Sequence, residues 1–506
     1  MHHGSTSVWM ATAQNALYPA LQHDILADVC VVGGGIAGLT SAYLLCKEGK
    51  SVAVIEAAEI GSGETGRTTA HFFPPDNRYY YIEDSFGADA ARIVAESFSQ
   101  ATDCVEAIIH EEGMGCGFER VSGYLFSFES DKADLQREYE AALRAGVTVH
   151  ARDKVPGLSF DTGFCLEFEN LAQFHPLQYL NGLCKAIERM GGRIYANTRA
   201  MQIDTEHGMR IVTTGHANVR AGEVVVATNT PFNNRVVMHT KQAAFRSYVL
   251  GLRVPRGSVP RLLLWDNGDP YYYVRLESPK GADHDILIVG GADHKSGQNG
   301  LPEGRYDAIE QWTRARFPMA TTVKYKWSGI VMEPADGIAF LGENPHDPNV
   351  YIITGDSGNG MTHCTAGAML ITDLIMGRSN PWAELYSPSR KVIHGTSHFI
   401  RDQVNTLAQF RKWAGGKGAS VEDIPPGEGA IVREGMGKQA VYRDNAGRLH
   451  ALSAACTHLG CEVAWNSAEK SWDCPCHGSR FGIDGEVIRG PAIRPLAAAT
   501  PREKAA

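Results

Sequence analysis

A glycine-rich turn near the start of this 506-residue chain constrains its fold more than any other feature. The turn, Gly33-Gly-Gly-Ile-Ala-Gly38, follows residues 28–32, an apolar run with the composition of a buried strand. Residues 39–48 then have the pattern of a helix, and residues 51–55 that of a second strand. A strand, a glycine turn, a helix and a second strand within about 30 residues predict a βαβ unit.

The spacing G-x-G-x-x-G in this setting predicts a dinucleotide site. Gly33 permits the tight turn, Gly35 lets a pyrophosphate approach the backbone, and Gly38 lets the helix pack closely on the strand. The N-terminus of the helix faces the phosphates. Glu56 ends the second strand, 23 residues after Gly33, where an acidic side chain accepts the ribose hydroxyl groups.

Composition narrows the possible partners. The chain has 48 Lys and Arg against 57 Asp and Glu, a net charge of −9, which disfavours nucleic acid and anionic membrane surfaces. We expect no membrane span, because no apolar run reaches the roughly 18 residues needed. We expect no secretory signal either, because residues 1–20 lack a basic region followed by an apolar one. Seven of the 11 cysteines are scattered through residues 1–364, which favours buried thiols in a reducing, cytoplasmic compartment.

Three further motifs indicate which dinucleotide binds. They are Gly61-Ser-Gly-Glu-Thr-Gly-Arg-Thr-Thr69, Glu333-Pro-Ala-Asp-Gly-Ile-Ala-Phe-Leu-Gly342 and Gly355-Asp-Ser-Gly-Asn-Gly-Met-Thr-His363. Over roughly residues 28–377 the chain resembles the FAD enzymes of the D-amino-acid oxidase/glycine oxidase superfamily. The resemblance implies FAD as cofactor, with the helix after the last motif directed at the flavin N1/C2=O edge. No second complete fingerprint appears in the sequence, so tightly docked NAD(P)H is not expected.

The predicted FAD site draws on five segments of the chain. Its residues are Gly33, Gly35, Ile36, Ala37, Gly38, Glu56, Ala57, Arg67, Thr68, Thr69, Ala227, Thr228, Gly355, Asp356, Gly358, Asn359, Gly360, Met361 and Thr362. His71 follows closely, and some amine-demethylating relatives carry their flavin covalently on a nearby histidine. The spacing departs from theirs, which favours an ordinary active-site or packing histidine.

The other four cysteines lie within 21 residues near the C-terminus. Together with two histidines they form C-x-H and C-x-x-H pairs, whose four members are Cys456, His458, Cys474 and His477. Two thiolates and two imidazoles are the ligands of a Rieske 2Fe-2S centre, but a zinc site also uses two of each. Residue types alone leave both open.

The loops around these ligands resemble the Rieske proteins of respiratory and photosynthetic cytochrome complexes, over roughly residues 420–501. That resemblance implies a 2Fe-2S cluster and a disulfide between Cys461 and Cys476. It also implies a hydrogen bond from Ser479 to a bridging sulfide, and a cover loop at Gly490-Pro491-Ala492. Phe481 stands where the family has a tyrosine that bonds a ligand sulfur, so that contribution to the potential is lost.

The predicted fold class is α/β with an appended all-β module. We predict a Rossmann-like FAD domain, an inserted mixed-sheet substrate domain and a C-terminal Rieske domain. The FAD domain is assigned residues 1–75, 165–235 and 336–385, and the substrate domain residues 76–164 and 236–335. A connecting helix and linker take residues 386–414, and the Rieske domain residues 415–506.

A flavin accepts two electrons and a 2Fe-2S cluster carries one. We therefore predict a dehydrogenase in which substrate reduces FAD and FADH2 passes electrons singly through the cluster to an external acceptor protein or quinone. The superfamily resemblance implies a C–N bond of an amino acid or of a secondary or methylated amine as the substrate. The alternative is the reverse direction, in which an external reductase or other donor loads the cluster and the flavin reduces or hydroxylates a substrate. A non-catalytic electron carrier is disfavoured by the substrate domain of some 200 residues.

Substrate contacts are predicted on a strand of the inserted domain. Tyr271, Tyr273 and Arg275 alternate and share one face, and Arg275 is a candidate clamp for a carboxylate. A structural arginine beside packed tyrosines fits the pattern equally well. Lys241 is a further candidate, and Arg246 a weaker one.

Two histidines and an aspartate near residue 400 are not expected to form a second metal site. His394, His398 and Asp402 follow at intervals of four residues, but positions i and i+8 of a helix are about 12 Å apart, too far for one ion. A solvated or interdomain face explains the pattern better.

Overall fold

The computed structural model describes residues 5–14, 16–75, 78–127, 132–233, 237–296, 302–392, 420–434 and 437–499. The helices within them are α1 (Val8–Thr12), α2 (Ile36–Lys47), α3 (Tyr79–Phe86), α4 (Ala88–Glu111), α5 (Lys132–Arg144), α6 (Pro176–Arg189), α7 (Val237–Thr240), α8 (Pro302–Arg316), α9 (Gly360–Ile375) and α10 (Ala383–Tyr386).

The described strands fall into three groups along the chain. The first ten are β1 (Ile25–Val32), β2 (Val52–Ile55), β3 (His71–Phe72), β4 (Glu119–Phe126), β5 (Val149–Arg152), β6 (Cys165–Gln173), β7 (Arg193–Tyr195), β8 (Gln202–Glu206), β9 (Met209–Thr213) and β10 (Asn218–Val226). The next seven are β11 (Gln242–Pro255), β12 (Leu263–Asp266), β13 (Tyr272–Glu277), β14 (His284–Lys295), β15 (Val323–Pro334), β16 (Phe340–Glu343) and β17 (Val350–Thr354). The last eight are β18 (Gly429–Glu434), β19 (Gly437–Arg443), β20 (Leu449–Ser453), β21 (Ala464–Asn466), β22 (Ser471–Asp473), β23 (Arg480–Phe481), β24 (Val487–Arg489) and β25 (Ala498–Ala499).

The first sheet contains the predicted βαβ unit. Its main order is β16-β17-β10-β1-β2-β7, with β9 pairing antiparallel to β10 and β8 to β9. Strands β17, β10, β1, β2 and β7 run parallel. Strand β1 is apolar on both faces, because Val29 and Val31 pack under helices α2 and α9, and Cys30 and Val32 face a second apolar core on the other side. The carboxyl ends of β1, β10 and β17 therefore meet at one edge, where a ligand binds in open parallel sheets.

The second sheet is mixed and belongs mainly to the predicted substrate domain. Its order is β15-β11-β14-β13-β12-β4-β6-β3, with β5 on β6, and only the β12–β4 pair among these is parallel. Strand β13 alternates as predicted: Tyr272, Val274 and Leu276 face one apolar core with α8, while Tyr273 and Arg275 face the other side.

The C-terminal domain is all-β, as predicted. Strands β18-β19-β20-β25 form one antiparallel sheet, and β21-β22-β23-β24 form a second. Its apolar core contains Trp472, Phe481 and the four clustered cysteines. The four cysteines are thereby held on two loops that lie beside each other.

Two of the predicted domain boundaries are wrong. Strand β6 was assigned to the FAD domain from residue 165, but it pairs with β3, β4 and β5 in the second sheet. Helix α4 was assigned to the substrate domain, but it packs on α9 against the first sheet. The chain crosses between the two sheets more often than local patterns indicate, so the two domains share one large core.

Among the described helices, α1, α3, α7, α8 and α10 were not predicted from the sequence. Helix α8 lies between strands β14 and β15. It was not predicted because only Tyr306, Ile309 and Trp312 mark its apolar side. Helix α1 packs Trp9 beneath the guanidinium of Arg275. Residues 393–414 of the predicted connecting helix and linker, which include His394, His398 and Asp402, lie outside the described residues.

Candidate functional site

A deep cleft of about 1510 Å³ opens at the carboxyl edge of the first sheet and extends to the second sheet. Its volume exceeds the usual several hundred Å³ of a small-molecule pocket, so it has room for an extended dinucleotide and a substrate. Among the predicted FAD residues, those lining it are Gly33, Gly35, Ile36, Ala37, Glu56, Ala57, Arg67, Thr68, Thr69, Ala227, Thr228, Gly355, Asp356, Gly358, Asn359, Gly360 and Met361. Gly38 and Thr362 lie behind the cleft wall and do not line it.

The turn after β1 tolerates only glycine at two positions. Gly33 has φ of +120°, and a Cβ atom there would lie 2.4 Å from the carbonyl oxygen of Ala227. A Cβ atom on Gly38 would lie 1.9 Å from the carbonyl oxygen of Gly33. The missing side chains let α2 start directly behind the turn, with Gly35 as its N-cap, so that the helix N-terminus faces the cleft.

Glu56 lies at the end of β2 with its carboxylate across the same turn. Its Oε2 accepts a hydrogen bond from the Gly34 N–H at 2.7 Å, and its Oε1 accepts one from the Ala58 N–H at 2.9 Å. The carboxylate thus closes the loop and lines the cleft where an adenosine ribose lies in dinucleotide folds.

The opposite end of the cleft is formed by β17 and the N-terminus of α9. Gly355 turns the chain with φ of +74°, and α9 begins five residues later at Gly360. Asp356 lies in this turn and accepts a hydrogen bond from the Met332 N–H at 3.2 Å. Burial raises the pKa of Asp356 to about 7. The positive end of the α9 dipole at this point suits a flavin edge that gains negative charge.

The second sheet supplies polar groups on the far wall. The Tyr271 hydroxyl donates a hydrogen bond to Asp293 Oδ2 at 2.8 Å, and Ser247 and Tyr273 hydroxyls lie 2.7 Å apart. Asp293 Oδ1 is inaccessible to solvent and accepts no hydrogen bond of normal geometry from the described residues. Burial raises the pKa of Asp293 to about 6, against the opposing effect of the Ser247 and Tyr271 hydroxyls.

His71 also lines this wall, next to Tyr273. Its Nε2 lies 3.2 Å from the carbonyl oxygen of Val274, and its Nδ1 lies 3.0 Å from Thr69 Oγ1. Burial and the nearby charge of Arg275 lower the pKa of His71 to about 3. The neutral ring is therefore held by two hydrogen-bond partners.

The prediction that Arg275 clamps a substrate carboxylate is wrong. The side chain is 2% exposed and lies below the cleft floor, where it donates to the carbonyl oxygens of Thr69, Ala70 and Phe174 and pairs with Glu277 at 2.9 Å. Burial lowers the pKa of Arg275 to about 10. Its contacts with the three carbonyl oxygens hold the segments beside β3 and β6 against β13, which is a structural role.

Lys241 is also outside the cleft. Its Nζ donates to the carbonyl oxygens of Pro388 and Arg390 at 2.8 and 2.9 Å and lies over the Phe340 ring. The ammonium group thus fastens the segment after α10 to the start of β11. The substrate role expected for this residue is therefore wrong.

The four predicted cluster ligands are brought together by two loops of the C-terminal domain. The Cys456 and Cys474 thiols are buried and hydrogen-bonded to each other, which lowers the pKa of Cys456 to about 7 and raises that of Cys474. The His458 and His477 rings lie 5.0 Å apart between centroids. The Nδ1 atom of His477 is buried and has no hydrogen-bond partner among the described residues, as a nitrogen that binds a metal requires.

The loops are joined by a disulfide, as predicted. Cys461 and Cys476 are bonded to each other across 15 residues of sequence. Their sulfur atoms lie within 4.8 Å of Cys474, but bonded to each other they are not ligands. Ser479 accepts a hydrogen bond from the Ala492 N–H at 3.0 Å, which ties the predicted cover loop to the cluster loops. The donor set of two thiols and two imidazoles fits a Rieske cluster.

The C-terminal domain is fastened to the second sheet by a buried ionic network. Arg246 on β11 is 2% exposed and pairs with Asp473 on β22 at 2.6 Å. Glu469 is fully buried and pairs with Arg480 at 2.7 Å, and its Oε1 accepts a hydrogen bond from Ser328 at 2.6 Å. Burial opposes ionisation, but the nearby guanidinium groups outweigh it and hold the pKa of Glu469 well below its ordinary value. Arg246, a weak substrate candidate, is thus an interdomain residue.

One histidine of α7 covers the two histidines of the cluster loops. His239 is 4% exposed, and its ring centroid lies 4.6 Å from that of His458 and 5.4 Å from that of His477. The imidazole side of the cluster site therefore faces the domain that carries the cleft. Nothing in the sequence marked His239, because its neighbours in space are more than 200 residues away.

Comparison with known proteins agrees with both halves of this site. The family model described as FAD dependent oxidoreductase, DAO, matches residues 28–374, and the Rieske 2Fe-2S domain model matches residues 417–500. The chain is a DAO-family FAD oxidoreductase with a C-terminal Rieske domain. It is 32% identical to a Rieske 2Fe-2S iron-sulfur protein, YhfW, of Bacillus subtilis, and the match covers 96% of each chain.

Two more distant relatives match about three quarters of this chain. The γ-glutamylputrescine oxidoreductase of Escherichia coli is 28% identical, over 74% of this chain and 89% of its own. The crystal structure of glycine oxidase from Geobacillus kaustophilus superposes with a TM-score of 0.61 at 18% identity, covering 72% of this chain and 99% of that one. The oxidoreductase therefore binds FAD and a Rieske cluster, and its predicted fold class is confirmed. Among the described residues no helix is long and apolar enough to cross a membrane.

Proposed function

We propose that this oxidoreductase is a dehydrogenase that oxidises the C–N bond of an amine or amino acid and sends electrons through its Rieske cluster to an external acceptor. Bound FAD supplies two-electron oxidation, and the cluster supplies one-electron transfer. The observation that carries the proposal is the packing of the cluster loops on the oxidoreductase part of the chain, which carries the cleft. His458 and His477 pack against His239, and the Rieske domain also forms part of the cleft wall.

This arrangement favours electron transfer within one chain. The histidine side of the cluster site is turned toward the flavin half, so both redox groups share one continuous packed boundary. A buried network that includes Arg246–Asp473 and Arg480–Glu469 keeps the boundary in register. A carrier that only exchanged electrons with outside partners has no use for such a boundary.

The far wall of the cleft suits an amine cation. One oxygen of Asp293 is buried and accepts no hydrogen bond of normal geometry from the described residues, and the Tyr271 hydroxyl donates to the other. An ammonium group placed there meets a carboxylate that is ionised above about pH 6. Arg275, the expected partner of a substrate carboxylate, is committed to backbone carbonyls. Within the proposed class we therefore favour amines without a carboxylate beside the reacting carbon.

Tyr271 and Tyr273 remain the proposed substrate contacts. Tyr271 orients Asp293, while the Tyr273 ring lies between Tyr271 and His71 with a hydroxyl bonded to Ser247. Their role is to hold the amine in one orientation over the flavin and to exclude water. Positioning of this kind supplies much of the rate enhancement of such a reaction.

The external acceptor is proposed to be a protein or quinone that takes single electrons. A cytoplasmic location is part of the same proposal. Its support is that the seven scattered cysteines are free thiols, as in proteins of reducing compartments.

Anaerobic mixing with a panel of amines and amino acids tests the proposal. We expect at least one amine to bleach the flavin absorbance and to give the EPR signal of a reduced Rieske cluster without any added reductase. If the whole panel leaves the flavin oxidised while a chemically reduced donor reduces the flavin through the cluster, the proposed direction is wrong. Matching amines with their α-carboxylated counterparts in the panel tests the substrate preference separately.

A further inference from the structure

The Rieske domain lines the cleft that binds FAD. Its segment from β23 to just past β24 supplies cleft-lining residues between positions 480 and 493. Arg489 at the end of β24 contacts the FAD half of the cleft through its guanidinium group. It contacts Asn229, which follows β10, and Glu64, which belongs to the second FAD motif.

Arg489 is mostly buried and has an incomplete set of partners. Its side chain is 12% exposed, and one amino group donates a hydrogen bond to Asn229 Oδ1. The other, Nη1, lies 3.5 Å from Glu64 Oε1 and makes no hydrogen bond with the described residues. Glu64 is itself engaged, because its Oε2 accepts the Ile330 N–H at 2.7 Å. A guanidinium group in such a position lowers the stability of the protein unless an anion accepts the hydrogen bond that its Nη1 atom lacks.

FAD is an anion, and the residues around Arg489 belong to its site. Glu64 lies in the motif that contains Arg67, and Asp356, whose charge also acts on Arg489, lies in the turn before α9. We propose that Arg489 binds FAD through Nη1, with an anionic oxygen of the cofactor as the acceptor. The FAD site is then complete only when the Rieske domain is docked.

Under this proposal, FAD binding and docking of the Rieske domain are coupled. Because binding free energies are reciprocal, FAD binding stabilises the docked Rieske domain by the same amount as docking strengthens FAD binding. FAD and cluster domain are thereby coupled before any electron moves. The inference concerns cofactor binding alone and does not depend on the direction of electron flow.

The test is FAD affinity in variants with a matched control. Apo-protein with a full complement of cluster iron and sulfide is titrated with FAD, and flavin fluorescence gives the dissociation constant. We expect Arg489→Met to raise the constant at least tenfold, about 1.4 kcal/mol. Arg489→Lys, which keeps a charge without the fork of donors, should raise it less. Arg494→Met, an exposed arginine of the same domain that does not line the cleft, should leave it unchanged.

A second measurement separates FAD binding from a merely structural contact. Thermal stability is recorded with and without excess FAD, because a ligand stabilises a protein in proportion to its affinity. The proposal expects Arg489→Met to reduce the stability gain that FAD provides. A variant that loses stability equally with and without FAD, at the wild-type dissociation constant, would overturn it.

Discussion

At the scale of single residues, Asp293 is the side chain that we propose to bind the ammonium group of the substrate. We predict that Asp293→Asn raises KM for the preferred amine about tenfold or more, because a neutral amide does not pair with an ammonium group, while kcat changes less. Steady-state turnover with a one-electron acceptor measures both constants. Asp283→Asn is the matched control, since Asp283 is exposed on the preceding turn and does not line the cleft. Equal KM values for wild type and Asp293→Asn would contradict the assignment.

The same carboxyl group predicts a pH dependence. Its pKa is raised to about 6, so it is ionised above that pH and neutral below it. Binding of an amine cation should therefore weaken as the pH falls through about 6, and KM should rise. The profile of KM against pH in wild type and in Asp293→Asn checks this. The variant should lack the inflection, and an identical inflection in both proteins would assign it to another group.

Single residues also show where local patterns stop being informative. The G-x-G-x-x-G turn and the Cys/His pairs were predictable because each function needs fixed residues within a few positions of each other. Arg275 and Lys241 were misassigned because their partners, Phe174 and Pro388 among them, lie 101 and 147 residues away. Whether an arginine on a strand binds a ligand or stabilises the core depends on the residues that pack against it. The adjacent residues in the sequence do not identify those partners.

At the scale of elements, strands β11 and β22 join the two halves of the protein through Arg246 and Asp473. We predict that Arg246→Met lowers the free energy of unfolding by about 3 kcal/mol, because it leaves a buried carboxylate short of its main counter-charge. The double variant Arg246→Met/Asp473→Leu should recover much of that loss. Arg253→Met on the same strand is the control, since Arg253 pairs with Asp283 at the surface and such pairs contribute about 0–1 kcal/mol. Urea unfolding monitored by flavin fluorescence measures all three. A double variant no more stable than Arg246→Met would contradict the pairing.

Element types and their order were largely predictable, whereas element partners were not. The helices at 88–111, 132–144 and 176–189 follow apolar periodicity that a packed face requires. Strand β6 was assigned to the wrong sheet because an alternating pattern predicts a strand but does not identify the strand with which it pairs. Helix α8 was missed because its apolar side is narrow and lies within a run of strand-like segments.

At the scale of the whole molecule, the central feature is the packed interface between the Rieske domain and the part of the chain that carries the FAD cleft. Both cofactor sites were predictable, because each resembles a family with local motifs. Their relative placement was not, since it depends on His239, Arg246 and Arg489 meeting residues far away in sequence. Under the proposed function, this placement makes the FAD site and the cluster site the two ends of one electron path, whose direction can be measured.

The most direct test is a single-turnover experiment on wild type and His477→Ala under anaerobic conditions. The chain is mixed with the reducing amine, and flavin absorbance and cluster EPR are followed in time, with turnover of a one-electron acceptor measured in parallel. In wild type the flavin should be reduced first and the cluster second. In His477→Ala, which lacks one cluster ligand, flavin reduction should proceed at the wild-type rate while acceptor turnover is lost. Unchanged acceptor turnover in the variant, or loss of flavin reduction in a folded variant, would contradict electron exit through the cluster.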